Sequence, residues 1–333
     1  MFAIEGRSTF FAPLRLPGGR RTGVPTLNPP PVYRGRLGGA AARRPVVHSA
    51  PVMRVLICGC GYVGATLGLL LTAGGHEVFG LRRDPSKLPP GITPIRADLS
   101  EILSPQALPT HLAAVVYAVS PDEGRDDAYR LAYVDGLRNL LAALERIGSV
   151  RRLLFVSSTG VYGQSAGEWV DEDSPAEPQS SSGKRLLEGE RVLRESNIAE
   201  RVVLRLGGIY GPGREGAIER ALVAPTGGPL QYTNRIHRDD CAGVLLHLLT
   251  LPNPDPLYLG VDNDPADRRT IAAWLYARLD GTPANRPTPP KTRRARSNKR
   301  CSNERLLASG YAFRYPTFRE GFAALLDRGT PDV

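Results

Sequence analysis

The 333-residue chain is long enough to form one large α/β domain or two smaller ones, and 41% of its residues are hydrophobic. It has no apolar run near the roughly 18 residues of a membrane-spanning helix, and four scattered cysteines are too few for a disulfide scaffold, so a soluble globular protein is indicated. Cys58 and Cys60 have no second Cys or His pair at zinc spacing, so no metal is predicted.

The net charge of +10 arises in two proline-rich segments, 1–52 and 282–300, which each carry +7, so the rest of the chain has a net charge of −4. Solvated flexible charge is therefore favoured over nucleic-acid binding.

Residues 1–52 are predicted to be a disordered leader. They contain eight prolines and no sustained hydrophobic periodicity, and their only acidic residue is Glu5. The Arg-rich composition suits an organelle transit peptide, but Met53, directly before the first strand, would equally suit a start codon assigned too far upstream. Both interpretations stay open, so we expect a protein of the cytoplasm or of an organelle stroma.

The stretch from Met53 onward has the order strand, glycine turn, helix, strand. Val55–Cys58 is a short apolar run that is typical of a buried parallel strand. The turn that follows reads GCGYVG (59–64), and it leads into an apolar helix to about Ala73 and then a second strand, 76–81. This is the context that the dinucleotide-binding fingerprint requires, so a bound dinucleotide is predicted.

Each position of the turn has a physical role in that prediction. Gly59 permits the tight turn, Gly61 lets the backbone approach a diphosphate, and Gly64 lets the helix pack against the strand. The backbone N–H groups at the start of the helix, at Tyr62 and Val63, can donate hydrogen bonds to the phosphates.

The end of the second strand indicates which dinucleotide binds. A carboxylate there would favour NAD, but Arg82 and Arg83 occupy the position, where a guanidinium can clamp the 2′-phosphate of NADP. Asp84 leaves NAD possible, and simple surface charge at a strand end is the structural alternative. We therefore expect NADP as the cofactor, with NAD as the other candidate.

Strands and helices continue to alternate, which predicts a Rossmann-type, doubly wound parallel sheet with its sites beyond the carboxyl ends of the strands. The later predicted elements are strands at 92–98, 112–121, 151–163 and 201–214 and a long amphipathic helix at 126–147. Asp98, Leu99 and Ala118, near the ends of the third and fourth strands, are therefore assigned to the cofactor site. Gly208 is assigned to it as well, because a glycine there lets the backbone approach the nicotinamide.

Seven short motifs follow one another along the chain: GCGYVG (59–64), ADL (97–99), SSTGVYG (157–163), LRLGGIYGPGR (204–214), RIHRDDCA (235–242), YLGVDNDP (258–265) and RYPTFREGF (314–322). Each is weak alone, but the seven in order resemble the extended or atypical short-chain dehydrogenases/reductases of the NAD-dependent epimerase/dehydratase group, over roughly residues 53–327. The resemblance implies an NAD(P)-binding domain over 53–333. It also implies a small C-terminal substrate lobe built mainly from 165–180, 212–235 and 262–330.

In that family, catalysis uses a Ser or Thr before the VYG segment and a Tyr four residues ahead of a Lys. Ser158 matches the serine, which implies a hydrogen bond to the substrate oxygen, and Lys184 matches the lysine, which implies ribose binding and electrostatic support. The tyrosine position holds Ser180, and a serine hydroxyl has far too high a pKa to replace a phenol. The plainer interpretation of this segment is a helix start with Ser182 as its cap.

Any proton donor must therefore come from another residue. Tyr129 and Tyr133 share a helix face at i, i+4 spacing, and Tyr162 follows the strand of Ser158, but packing is the favoured interpretation for all three. Tyr133 also occupies a position where the family has Asn, which is a second departure from its pattern.

Several residues of the later motifs are interpreted as structural. Arg205 is expected to be an ion-pair partner, and His237 and Asp239 are expected to fix the backbone where the chain returns to the main fold. The acidic segment 168–179 is expected to be a loop over the substrate pocket, and the basic segment 282–300 is expected to be solvated.

These observations predict an NAD(P)-dependent, epimerase/dehydratase-like oxidoreductase that acts on a carbonyl or hydroxyl group of a small, sugar-like substrate. The alternative is a non-catalytic NADP-binding sensor or scaffold that kept the cofactor cradle and lost the tyrosine. A third possibility, RNA binding by the Arg-rich segments, is less favoured. We expect a small-molecule substrate as the partner, no membrane or nucleic acid, and a monomer or homodimer.

Overall fold

A computed structural model describes residues 51–148, 150–214, 216–222, 230–279 and 298–328. The leader up to residue 50, and 282–297 of the basic segment, lie outside these described residues. Within the described ranges, no helix combines the length and the apolar character needed to cross a membrane.

Strands and helices alternate through the first part of the described chain. This part contains β1 (Arg54–Cys58), α1 (Tyr62–Ala73), β2 (Glu77–Arg82), β3 (Ile92–Arg96), β4 (Ala114–Tyr117), α2 (Asp126–Arg130), α3 (Gly136–Ile147), β5 (Arg152–Ser158), β6 (Glu168–Val170), α4 (Ser181–Arg194) and β7 (Glu200–Leu206). The remaining elements are β8 (Gly208–Tyr210), α5 (Gly216–Leu222), β9 (Arg235–His237), α6 (Arg238–Thr250), β10 (Leu257–Gly260), α7 (Arg268–Arg278), β11 (Lys299–Cys301), α8 (Glu304–Ala308) and α9 (Phe318–Arg328).

Seven strands form one parallel sheet in the order β3-β2-β1-β4-β5-β7-β10. Helices α1 and α6 pack on one face through Leu67, Leu71 and Leu245, and α3 and α4 pack on the other face through Leu137 and Leu193. The apolar run of β1 is buried because it is covered on both sides, as a central parallel strand requires. The predicted Rossmann-type fold is thus confirmed.

The structure differs from the predicted elements in two places that border the site. The predicted helix 126–147 contains a π-helical turn, Leu131–Asp135, between α2 and α3. The predicted strand 201–214 ends at Leu206, and β8 then leaves the main sheet and pairs with β9. The break falls at Gly207, whose N–H donates to Gly260 O at 3.0 Å and whose missing side chain leaves room for Asn234.

The C-terminal segments add a separate apolar cluster and a second small sheet. The cluster is formed by residues of β8, α5, α7 and α9, among them Tyr210, Ile271 and Phe322. In the small sheet, β11 pairs with β6. Lys299 of β11 is buried and its ammonium donates to Tyr162 O at 3.0 Å, so the expectation that the whole basic segment is solvated is wrong at this residue.

Candidate functional site

A cleft of about 640 Å³ opens at the carboxyl edge of the main sheet. Its floor and near wall are the glycine turn and the ends of β2 and β4, and its far wall includes the π-helical turn and the segment after β7. The predicted cofactor residues that line it are Gly59, Gly61, Tyr62, Val63, Arg82, Arg83, Asp98, Leu99 and Ala118. Most of the residues that were assigned to the cofactor from the sequence therefore line one cavity.

The glycine turn is shaped by two close backbone contacts. Gly59 has φ +77°, and a Cβ there would lie 2.6 Å from Ala118 O and 2.7 Å from Val119 Cα, so no side chain fits. Gly64 lies beneath the cleft, where a Cβ would come within 2.9 Å of Gly59 O and 3.0 Å of Ile57 Cγ2. Helix α1 can therefore pack directly against β1.

Gly61 has the opposite environment, because the nearest atom to an added Cβ would be Gly59 O at 3.9 Å. The backbone at Gly61 consequently faces the open cleft. Helix α1 begins at the next residue, and no side chain caps its N-terminus, so the N–H groups of its first turn need an acceptor. An open backbone beside uncapped donors fits the diphosphate of a dinucleotide.

The two arginines at the end of β2 point to different partners. The Arg82 guanidinium turns towards the glycine turn, with Nη1 donating to Cys60 O at 3.4 Å. Arg83 instead makes two hydrogen bonds to Asp122, at 2.6 and 2.5 Å, and these hold the pKa of that carboxyl below its usual range. The Asp84 carboxylate accepts from Ser86 N and Oγ. Of these two arginines, Arg82 is thus the one directed at the glycine turn.

The ends of β3 and β4 are fixed by local hydrogen bonds. Asp98 Oδ1 accepts from Ser100 N at 2.9 Å and Ser100 Oγ at 2.8 Å, which shapes the loop after β3. Leu99 is buried, and its carbonyl accepts from Asn139 at 2.9 Å. Ala118 N donates to Cys58 O at 2.8 Å, which brings the end of β4 against the glycine turn.

The cysteines of this region are structural. Cys58 and Cys60 are fully buried, and burial raises the pKa of the Cys60 thiol to about 11. Among the residues that the structure describes, no group of three or more His, Cys, Asp or Glu side chains could hold a metal ion.

The predicted catalytic residues lie at the same edge of the sheet but outside the lining of the cleft. Ser158 ends β5, and its Oγ accepts from Gly160 N at 3.0 Å. Helix α4 packs against this turn, because a Cβ at Gly183 would lie 2.7 Å from Gly160 O, and exposed Lys184 follows directly. Gly208 is exposed and donates its N–H to Asn234 O at 2.9 Å.

Ser180, in the position of the family tyrosine, is the cap of α4. Its Oγ accepts from Gly183 N at 3.1 Å, and the helix begins at Ser181. The prediction that Ser182 caps the helix is wrong by two residues. The reason is that Ser180 has the extended backbone of a cap, whereas Ser182 already lies in the first helical turn.

Tyr162 is a core residue, as its favoured interpretation predicted. Its hydroxyl accepts from Arg205 Nη1 at 2.7 Å and donates to Asp171 O at 2.6 Å. Burial raises its pKa to about 12 despite the neighbouring guanidinium. Arg205 also pairs with buried Glu190 at 2.6 Å, and Glu190 accepts from Ser157 at 2.6 Å, which confirms the structural role predicted for Arg205.

Tyr129 and Tyr133 stack on each other, with ring centroids 6.2 Å apart. Burial raises the pKa of Tyr133 to about 12. An activated phenol would require a shift in the other direction, so this stack has the character of packing.

His237 and Asp239 also have the structural roles predicted for them. His237 is buried, its Nδ1 accepts from Asp239 N at 3.2 Å, and this contact caps α6. The Asp239 carboxylate pairs with Arg238 at 2.9 Å.

Two charged residues that line the cleft were not assigned to it from the sequence. Asp122 lies in the loop after β4, and its ion pair with Arg83 is the feature that identifies it as part of the cleft. Arg214 ends the LRLGGIYGPGR motif, which was interpreted as the start of a loop towards the substrate lobe. The motif was visible, but nothing local to it shows that the chain turns back over the glycine turn.

Comparison with known proteins agrees with this geometry. A family model of NAD(P)H-binding proteins matches residues 59–252. A 3-diazoavenalumate denitrifying reductase of a Streptomyces species is 29% identical over 308 residues, which cover 81% of this chain and 99% of the relative. The solved structure of a candidate NAD-dependent epimerase/dehydratase of Methylobacillus flagellatus is 38% identical, covers 84% of this chain and 99% of its own, and superposes with a TM-score of 0.68. The human epimerase family protein SDR39U1, solved with NADPH, is 22% identical, covers 83% of this chain and 99% of its own, and has a TM-score of 0.64, so its likeness concerns the fold alone.

Proposed function

The chain belongs to the NAD(P)H-binding, epimerase/dehydratase-like family of short-chain dehydrogenases/reductases, and on this premise we propose that it is an NADP(H)-dependent oxidoreductase acting on a carbonyl or hydroxyl group of a small, sugar-like substrate. The observation that carries the proposal is one cleft that combines the open backbone of Gly61, the uncapped start of α1 and the guanidinium of Arg82. When bound there, the nicotinamide ring supplies hydride transfer.

The cleft residues divide between the parts of the cofactor. We assign the diphosphate to the glycine turn and the first N–H groups of α1, which includes Tyr62 and Val63. Arg82 is assigned to the 2′-phosphate, because Arg83 is already paired with Asp122. The residues assigned to the adenosine side and the neighbouring cleft floor are Asp98, Leu99 and Ala118.

We assign the reacting end to Ser158, Lys184 and Gly208. The Ser158 hydroxyl accepts from Gly160 N, so its own proton is available to donate to a substrate oxygen. The exposed ammonium of Lys184 stands at the start of α4, beside the turn that follows Ser158, and would hold the ribose. Tyr162 and Tyr133 receive no proton-transfer role, because Tyr162 is fully hydrogen-bonded in the core and burial raises the pKa of Tyr133.

The proposed substrate lobe is supported by its own packing. The cluster around Tyr210 and Phe322, and the pairing of β11 with β6, join parts of 165–180, 212–235 and 262–330. We propose that this lobe selects the substrate, while the main sheet of the 53–333 domain holds the cofactor. We further propose a small-molecule partner without nucleic acid, a monomer or homodimer, and a place in the cytoplasm or, if the leader directs import, an organelle stroma.

The test begins with the full chain and isothermal titration of NADPH and NADH. We expect NADPH to bind more tightly, and absence of binding by either nucleotide would contradict the proposal. Turnover is then followed by the loss of reduced nicotinamide absorbance over a panel of nucleotide sugars and small carbonyl compounds. Ser158→Ala should abolish turnover and spare NADPH binding, whereas Ser182→Ala, at a hydroxyl near the start of α4, should leave both turnover and NADPH binding unchanged. Full turnover by Ser158→Ala would remove Ser158 from the mechanism.

A further inference from the structure

The segment after β8 crosses over the glycine turn and holds the ring of Tyr62. The Tyr62 hydroxyl donates to Pro212 O at 2.9 Å, although the two residues are far apart in the chain. Tyr62 is the first residue of α1, so this contact is made at the point where the dinucleotide fingerprint directs its N–H groups into the cleft. This segment therefore lines the cleft beside the start of α1.

Two glycines allow this close approach. Gly211 is buried with φ +147°, and a Cβ there would lie 3.0 Å from both the Tyr62 hydroxyl and Arg238 Cβ. Gly213 has φ +80°, a backbone conformation that residues with side chains rarely adopt. The Gly-Pro-Gly sequence thus forces the chain to turn so that the next residue, Arg214, returns towards Tyr62.

Arg214 is stacked on the Tyr62 ring, with its guanidinium carbon 4.2 Å from the ring centroid. It lines the cleft, and among the described residues its side chain makes a single long hydrogen bond, to Ile209 O at 3.4 Å. No carboxylate within the described part of the chain pairs with it, whereas Arg83, which also lines the cleft, is paired with Asp122. A cation–π contact of this kind holds a guanidinium in place while leaving its N–H donors unused.

We infer that Arg214 is a second diphosphate-binding group, held on the Tyr62 ring beside the start of α1. The inference rests on the proposed function and deepens it, since the fingerprint assigns the diphosphate to backbone N–H groups alone. The guanidinium offers paired donors, which match phosphate oxygens, and it stands above the first residue of the helix whose N-terminus attracts the same charge. The ligand chemistry is a nucleoside diphosphate, and we assign it to the cofactor.

Arg238 provides a matched control for this role. Its guanidinium carbon lies 5.3 Å from the centroid of the same ring, but it pairs with Asp239 and does not line the cleft. Arg214→Met and Arg238→Met therefore remove the same charge from the same aromatic ring, and only the first removes it from the cleft. Because Arg214 is exposed, its replacement should leave the melting temperature of the full chain unchanged.

The experiment is titration of the full chain and its variants with NADPH, ADP-ribose, adenosine 2′-monophosphate and UDP. We expect Arg214→Met to weaken NADPH and ADP-ribose roughly 10- to 100-fold, the effect of losing a charged hydrogen bond, and to change adenosine 2′-monophosphate by less than about twofold. Arg214→Lys should recover part of the loss, and Arg238→Met should bind all four ligands as the unaltered protein does.

Three results would overturn the inference. ADP-ribose could bind Arg214→Met as tightly as the unaltered chain, or adenosine 2′-monophosphate could weaken as much as ADP-ribose, which would indicate a general loss of charge. UDP binding could fall while ADP-ribose binding stays constant, which would assign the guanidinium to the substrate's diphosphate instead. The proposed function fails differently, because then the unaltered chain itself would bind neither NADPH nor NADH.

Discussion

Replacing Gly61 by alanine should weaken NADPH binding while leaving the fold intact. The added methyl group would have Gly59 O, at 3.9 Å, as its nearest neighbour, so it would stand in the open cleft without displacing any protein atom. The cost to folding is limited to the poorer helix cap that alanine makes, about 0.5–1 kcal/mol of the free energy of unfolding. The methyl group would keep the diphosphate away from the first N–H groups of α1, and loss of one charged hydrogen bond there corresponds to a roughly 10- to 100-fold weaker affinity.

Gly59→Ala, two residues earlier in the same turn, should show the reverse pattern and is the matched control. Its Cβ would meet two backbone atoms, Ala118 O at 2.6 Å and Val119 Cα at 2.7 Å, and neither can move without shifting the end of β4. The left-handed φ of +77° costs about 1–2 kcal/mol for a residue with a side chain, and the forced shift costs about 1–3 kcal/mol more. The free energy of unfolding should therefore fall by roughly 2–5 kcal/mol.

Both variants are measured by urea unfolding, followed by circular dichroism, and by NADPH titration at a temperature where each is folded. A Gly61→Ala protein that binds NADPH as tightly as the unaltered chain would refute the placement of the diphosphate at this turn. A Gly59→Ala protein of unchanged stability would refute the close contact between the turn and β4. The two variants test separate claims, because Gly61→Ala is judged by its affinity for NADPH and Gly59→Ala by its free energy of unfolding.

Three further outcomes are expected. Arg82→Asp should lower the affinity for NADPH relative to NADH by at least about tenfold, because it replaces a cation that lines the cleft, and an unchanged ratio would contradict its assignment to the 2′-phosphate. Deleting residues 1–52 should leave the melting temperature and NADPH binding unchanged, whereas loss of cooperative unfolding would show that the leader belongs to the fold. In urea unfolding, Asp262→Asn should stabilise the protein more at pH 9 than at pH 4. Equal stabilisation at both pH values would contradict a raised pKa of the Asp262 carboxyl. Burial raises the pKa of the Asp262 carboxyl to about 8, so the native state holds a proton that the unfolded chain releases above about pH 4, and stability is lost as the pH rises between these values.

The cofactor end of the site was predictable because its signals are local in sequence. Gly59, Gly61 and Gly64 follow the spacing of the fingerprint within one turn between β1 and α1, and the close contact that requires Gly64 is made inside this local unit. Arg82 follows from the length of β2, since the end of that strand must reach the same edge of the sheet as the end of β1. Most of the expected cofactor residues therefore line one cleft, whereas Gly64, Lys184 and Gly208 lie outside its lining.

Arg214 and Lys299 were not predictable in the same way, because their surroundings are set by distant partners. The segment around Gly207 has the composition of one continuous strand, and only the pairing of β8 with β9 redirects it towards the glycine turn. Lys299 belongs to a run of basic residues that reads as solvated surface, yet β11 pairs with β6 and buries its ammonium against Tyr162 O. A run of basic residues therefore predicts solvent exposure, but a tertiary contact can still bury one of its members.

Ser180 occupies the position at which the family has its active-site tyrosine, and this replacement limits the chemistry that the site can perform. Ser180 caps α4. The residue that replaces the family tyrosine therefore stabilises the start of the helix. Lys184 keeps its place one helical turn later, but it has no phenol at that spacing whose pKa it could lower, and the buried tyrosines nearby have raised pKa values. Ser158 offers a hydroxyl at this edge with a fixed position and a proton that is free to donate, because Gly160 N occupies one of its lone pairs. The arrangement thus favours a reaction in which hydrogen bonding and a nearby ammonium stabilise the substrate oxygen, and Ser158→Ala should then reduce turnover more than cofactor affinity.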